Sequence, residues 1–193
     1  MAALAVGTPA DEGQRFENAT AGISLERPAG WVTASIQQVE ANRKRVRLPD
    51  DELQAAVEEH ASAPLFVFTR YPEPHDDLNP SIQVILRPLG ELAGLPPIEV
   101  MQAAVGPLQE IFGNFEFVEE IHPTEVAGYP AARMSATYTI ENDEGRAFET
   151  VSKMWIVPRG SFMFMLGMSG AIEDRDELEE IFERAIGSVE IAD

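Results

Sequence analysis

Chemistry has few places to reside in this chain, which holds three histidines and no cysteine in 193 residues. Without thiols, disulfides, thiolate zinc sites, iron–sulfur clusters and cysteine nucleophiles are all out. The first candidate set is His75-Asp76-Asp77, an imidazole and two carboxylates in a stretch with Pro72, Pro74 and Pro80. Such donors suit a divalent cation. The same turn-forming residues also make an ordinary solvated loop, and the spacing favours that reading. The second set is Glu119, Glu120 and His122, suited to general acid–base work. Strand alternation puts Glu120 and His122 on one face and Glu119 on the other. No nucleophile or oxyanion donor accompanies them, so they read as charges on a surface strand.

Two further sets point to binding rather than reaction. Arg43, Lys44, Arg45 and Arg47 gather four of the fourteen cations in one short stretch. They read either as a solvated helix end pairing with Asp50, Asp51 and Glu52, or as a dock for an acidic partner. Phe66 and Phe68 share one face of a strand whose other face carries Leu65 and Val67. That strand is either sandwiched in the core or exposes an apolar patch that marks an interface. The Met-rich run from Phe162 to Met168 reads as a core strand. There is no phosphate loop, G-x-S-x-G elbow, H-E-x-x-H or dinucleotide fingerprint. No catalytic, cofactor-binding or metal-ligating residue is assigned on this basis.

The charge balance narrows the partners. With 33 acidic and 14 basic residues the net charge is −19, which argues against nucleic acid and against an anionic membrane surface. No apolar run approaches the roughly 18 residues of a membrane span. The start, Met1 to Gly7, has no basic n-region, so the chain as written reads as cytoplasmic. A chain trimmed of an export signal would read the same and would belong to the cell envelope.

The elements that must carry these residues follow from periodicity. Residues 1–13 read as a flexible tail and residues 14–191 as a single domain. Phe16-Glu17-Asn18 and Gly22 to Arg27 form an opening hairpin that ends at Pro28-Ala29-Gly30-Trp31. Ser35 caps a helix from about Ile36 to Val46, and Asp50 caps a second. Residues 64–71 and 82–86 are strands around the 72–80 loop. Pro96 and Pro97 open a helix with a kink or break expected at Gly106-Pro107. Residues 115–127 are extended. Ala132, Met134, Ala136, Tyr138 and Ile140 alternate with polar residues, and Asn142-Asp143-Glu144-Gly145 turns this strand into residues 146–157. Phe162 to Leu166, apolar on both sides, predicts a central strand. Asp174 and Glu177 resemble a capping box on a closing helix with Leu178, Ile181, Phe182, Ala185, Ile186 and Val189 on one face. The class is α+β, an antiparallel sheet with helices packed on it.

With its Pro-x-Gly-Trp corner and this order of elements, the stretch from about residue 14 to 191 resembles the PsbP-like fold. That group includes PsbP, Mog and DcrB-type proteins and type VI effector chaperones. The resemblance implies an α/β/α sandwich and a non-enzymatic domain that binds or assembles other proteins. It implies no active site. The expected function is therefore a protein-interaction module, with an unidentified protein as partner. The alternatives are a small-ligand or metal-binding protein using the 72–80 loop, and a carboxylate-dependent hydrolase. A deep pocket would favour the alternatives; an apolar patch or open sheet edge would favour the first reading.

Overall fold

The structure is a computed structural model that describes residues 13–35, 37, 38, 41, 46, 47, 63–112 and 114–192. Strands β1 (Arg15–Asn18) and β2 (Ile23–Glu26) form the opening hairpin. Its turn is closed by Gly22 N–H donating to Asn18 O at 2.8 Å, and Gly22 takes φ +69°, open to glycine at no steric cost. The corner that follows bends the chain through a Trp31 N–H bond to Pro28 O at 3.1 Å. Trp31 is then 4% exposed and packs in the same cluster as Leu178 and Phe182 of the closing helix.

The main sheet has eight strands: β3 (Val32–Thr33), β4 (Val46–Arg47), β5 (Phe66–Thr69), β6 (Ser81–Pro88), β7 (Glu116–Val126), β8 (Tyr129–Asn142), β9 (Ala147–Arg159) and β10 (Phe162–Ala171). Their order is β3-β5-β6-β10-β9-β8, and both β4 and β7 pair with β8. All pairings are antiparallel. A short strand β11 (Glu190–Ile191) adds to β2 and completes a second, three-stranded sheet. As expected from its apolar run, β10 is central, flanked by β6 and β9.

Helix α1 (Pro97–Ile111) covers one face of the main sheet and α2 (Arg175–Gly187) the other. Strand alternation sorts the core accordingly. Ala132, Met134, Ala136, Ile156 and Met163 lie under α1. Trp155, Val157, Phe164, Leu166 and Met168 lie under α2 and the small sheet. The long β8–β9 hairpin runs in the register that its alternation predicts, with Met134 opposite Met154 and Ala136 opposite Ser152.

Several local expectations change. Of the kink or break expected at Gly106-Pro107, the break does not occur: α1 runs from Pro97 to Ile111 with Pro107 inside it. Val46 belongs to strand β4, so the helix capped by Ser35 stops before it. The cap itself is present: Ser35 Oγ accepts from Gln38 N–H at 3.2 Å, and Gln38 Oε1 accepts from Ser35 N–H at 2.7 Å. Asp174 stands at the N-cap of α2 but makes no cap bond. Glu177 instead accepts from Arg70 at 2.7 Å, a charge-assisted bond that raises the Arg70 pKa and ties the end of β5 to α2. The cationic run Arg43, Lys44 and Arg45, the Asp50 helix and the tail through residue 12 lie outside the described residues.

Candidate functional site

The 72–80 loop joins β5 to β6, and its own polar side chains hold its shape. Asn79 accepts from Tyr71 N–H at 3.0 Å and donates back to Tyr71 O at 2.8 Å. The same Asn79 amide donates to Glu73 Oε1 at 2.8 Å, and Glu73 Oε2 accepts the His75 backbone N–H at 3.1 Å. The Glu73–Pro74 peptide is cis. His75 stacks on Tyr71 with ring centroids 4.6 Å apart and planes 7° from parallel. Its Nδ1 lies 3.0 Å from Asp77 O and 3.2 Å from Asp77 N.

This geometry disperses the candidate metal set. Asp77 pairs with Arg146 from the β8–β9 turn, while the backbone of the loop engages the His75 ring. Among the described residues no three His, Asp or Glu side chains converge as a metal site requires.

Beside the loop lies a cavity of about 370 Å³, on the sheet face that carries α1. Its floor comes from five strands: Val67 of β5, Gln83 of β6, Ile140 of β8, Phe148 of β9 and Ser169 of β10. Glu73, Asp76 and Glu141 stand among its walls. A second hollow of about 490 Å³ opens on the other side of the loop, between Tyr71, Arg146 and Asp174. Phe148 borders both, and the Arg146 guanidinium sits 4.8 Å from its ring centroid. Nothing in the sequence signalled Gln83, Phe148 or Glu141. They lie far apart along the chain, and only strand pairing assembles them.

The second candidate set is rearranged by register. Two irregularities in the β7–β8 pairing, between Phe117 and Glu119 and between Glu119 and His122, break the strict alternation of β7. Glu119 and His122 therefore both reach Arg133, contrary to the expectation that Glu119 points away from His122. Arg133 Nε donates to His122 Nε2 at 2.7 Å, and Arg133 NH2 donates to Glu119 Oε1 at 2.7 Å. His122 Nδ1 lies 2.7 Å from Glu120 O, so both ring nitrogens are engaged. The network continues to α2: Arg133 is 3.5 Å from Glu183, and Lys153 pairs with Glu183 at 3.2 Å and with Glu179. What results is a set of interlocked ion pairs between sheet and helix.

The aromatic strand resolves as core. Phe68 is 0% exposed and packs against Phe16 at 5.0 Å, while Phe66 is half-buried against the same cluster. The reading of this pair as an exposed patch is corrected. The small sheet supplies Phe16, and no local pattern in residues 64–71 reports that cover.

The fold superposes on solved structures over almost the whole chain. The fold is PsbP-like. Cyanobacterial PsbP (CyanoP) from Synechocystis sp. PCC 6803 superposes with a TM-score of 0.53 at 14% identity, covering 100% of this chain and 98% of that one. LpqN, involved in cell envelope biogenesis of Mycobacterium tuberculosis, gives 0.55 at 16% identity over 97% and 88%. The Ran-binding protein Mog1p of Saccharomyces cerevisiae gives 0.55 at 11% identity over 94% and 96%. No protein-family model matches the sequence, and no curated protein matches it significantly. At these identities the likeness concerns the fold, which hosts unrelated roles. No helix among the described residues is long and apolar enough to cross a membrane.

Proposed function

We propose that this chain is a non-enzymatic protein-interaction module, a chaperone, adaptor or assembly factor. One observation carries the reading. Glu119 and His122, the residues best suited to acid–base work, are spent on Arg133 in a network that fastens α2 to the sheet. The likeness to Mog1p, a Ran-binding protein, over most of both chains supports it. The net charge of −19 turns it toward protein partners and away from nucleic acid. Arg43, Lys44 and Arg45 remain the cationic segment that would orient an acidic partner.

The test is affinity capture from the native cell, followed by binding kinetics with the purified partner. Charge reversal across Arg43, Lys44 and Arg45 is expected to slow association and flatten its salt dependence while the fold survives. Turnover of a small molecule in a hydrolase screen, abolished by substitution of Glu120 or His122, would replace this reading with the enzyme.

A further inference from the structure

We propose that His122 is a pH-sensitive clasp on the edge strand β7. As the neutral ring it holds Arg133 of β8; as the imidazolium it releases Arg133 and turns to Glu119 of its own strand. The clasp stands whether or not the chain binds a protein. Two contacts fix the protonation state of the ring. Nδ1 lies 2.7 Å from the Glu120 carbonyl oxygen, which can only accept, so Nδ1 carries the proton. Nε2 lies 2.7 Å from Arg133 Nε, which can only donate, so Nε2 carries none. A second proton on the ring would set N–H against N–H at that distance, and cation against cation. The bond to Arg133 and the imidazolium therefore exclude each other.

The neighbours decide where the released groups go. Glu119 Oε1, which accepts from Arg133 NH2 at 2.7 Å, also stands 3.9 Å from His122 Nε2, so a small shift pairs it with the imidazolium inside β7. Arg133 keeps Glu183 of α2, at 3.5 Å. The charged groups around the ring are thus Glu119 and Glu120 from β7 and Arg133 from β8, and behind Arg133 stand Glu183 and Glu179 of α2 with Lys153 of β9. Protonation exchanges two side-chain links between strands for one pair within a strand. The exchange falls where the ladder is weakest. The β7–β8 register slips between Phe117 and Glu119 and again between Glu119 and His122, and each slip disrupts the backbone pairing locally. Among the described residues no strand pairs with the outer edge of β7. Phe117 and Ile121 still pack in the core under α1, so β7 loosens around its charged side and stays attached.

The experiment is nitrogen NMR of the full labelled chain from about pH 8 to about pH 5, the interval in which imidazole ordinarily changes charge. At the upper end the His122 ring should carry its proton on Nδ1, and Arg133 should show a hydrogen-bonded Nε–H signal. That signal should move or vanish with the midpoint of the His122 titration. Amide hydrogen exchange, corrected for the direct effect of pH on the exchange rate, should show residues 118–122 losing about tenfold protection across the same midpoint, the worth of one bond to a charged group. Residues of β9 and β10 should keep theirs. His122→Gln places an amide oxygen that accepts from Arg133 at either pH, so its protection should stay constant; His75→Gln should leave the loss in place. A proton on Nε2 at the upper end, an Arg133 signal indifferent to the His122 titration, unchanged protection at 118–122, or the same loss in His122→Gln would each overturn the proposal.

Discussion

The two faces of the main sheet are finished differently. Toward α2, side chains from β5, β6, β9 and β10 meet the helix and the small sheet in one apolar mass. Packing there is tight enough that a Cβ added to Gly170 would collide with Leu178 Cδ1. Charges on that side are paired inward, through Lys153, Arg133, Glu179, Glu183 and Glu119. Toward α1, the apolar cover is confined to the stretch around Met134, Ala136, Ile156 and Met163. Farther along the same strands, Gln83, Ser81 and Ser169 replace it and floor the cavity beside the 72–80 loop. One face therefore holds the fold together. The other divides its length between core and a concave surface bordered by Glu73, Asp76, Asp77 and Glu141. Core packing toward α2 and the concave surface toward α1 share single strands, because adjacent positions point to opposite sides.

The sharpest way to break this comparison is at the α2 face. Phe68→Asp would bury a carboxylate with no partner and is expected to cost at least about 4 kcal/mol. Trp31→Ala on the same side should cost about 3–5 kcal/mol. Denaturant unfolding reads both, with Phe162→Asp as the reference, because Phe162 is 47% exposed and should shift stability by no more than about 0.5 kcal/mol. A similar cost at Phe68 and Phe162 would erase the distinction drawn here.

The next effect concerns the charged part of that face. The Lys153 side chain is 8% exposed and serves both Glu179 and Glu183. Lys153→Ala should destabilise by about 1–3 kcal/mol, and Lys153→Met by less, because the methionine keeps the packing of the stem beside Trp155. Equal losses for both variants would show that the ion pairs, not the packing of the stem, fasten α2.

The smallest effect lies on the α1 face. Tyr138 stacks on Phe112 at 4.4 Å and on Phe115 at 6.1 Å. Burial raises its pKa above the ordinary 10.0, with a smaller opposing pull from its hydrogen bond to Ser152. As pH rises through about 10, the unfolded chain releases this proton first, so the folded state loses stability between that pH and its own higher pKa. Below pH 10 the contribution is intact. Tyr138→Phe should change stability at pH 7 by about 1 kcal/mol or less and should flatten the alkaline loss, as measured by thermal unfolding across pH 9–12. An unchanged alkaline slope would place the responsible group elsewhere.

Much of the architecture was legible in the sequence, because alternation and helical spacing are local properties of the backbone. The β8–β9 hairpin announced itself through Met134, Ala136 and Tyr138 and the turn at Asn142 to Gly145. The face of α2 showed in Leu178, Phe182 and Ala185, and the Pro28 to Trp31 corner marked the entry to the core. The site was legible only in part: the 72–80 loop stood out by its prolines and its His75-Asp76-Asp77, but the cavity did not. Its floor joins positions from 67 to 169, and strand order alone brings them together. Likewise, irregular pairing turned Glu119 toward Arg133, and Arg70 drew Glu177 into an ion pair. Periodicity reports which way a strand or helix wants to face. What it faces is decided by long-range pairing, which trades local preferences for the burial and charge neutralisation that a partner element supplies.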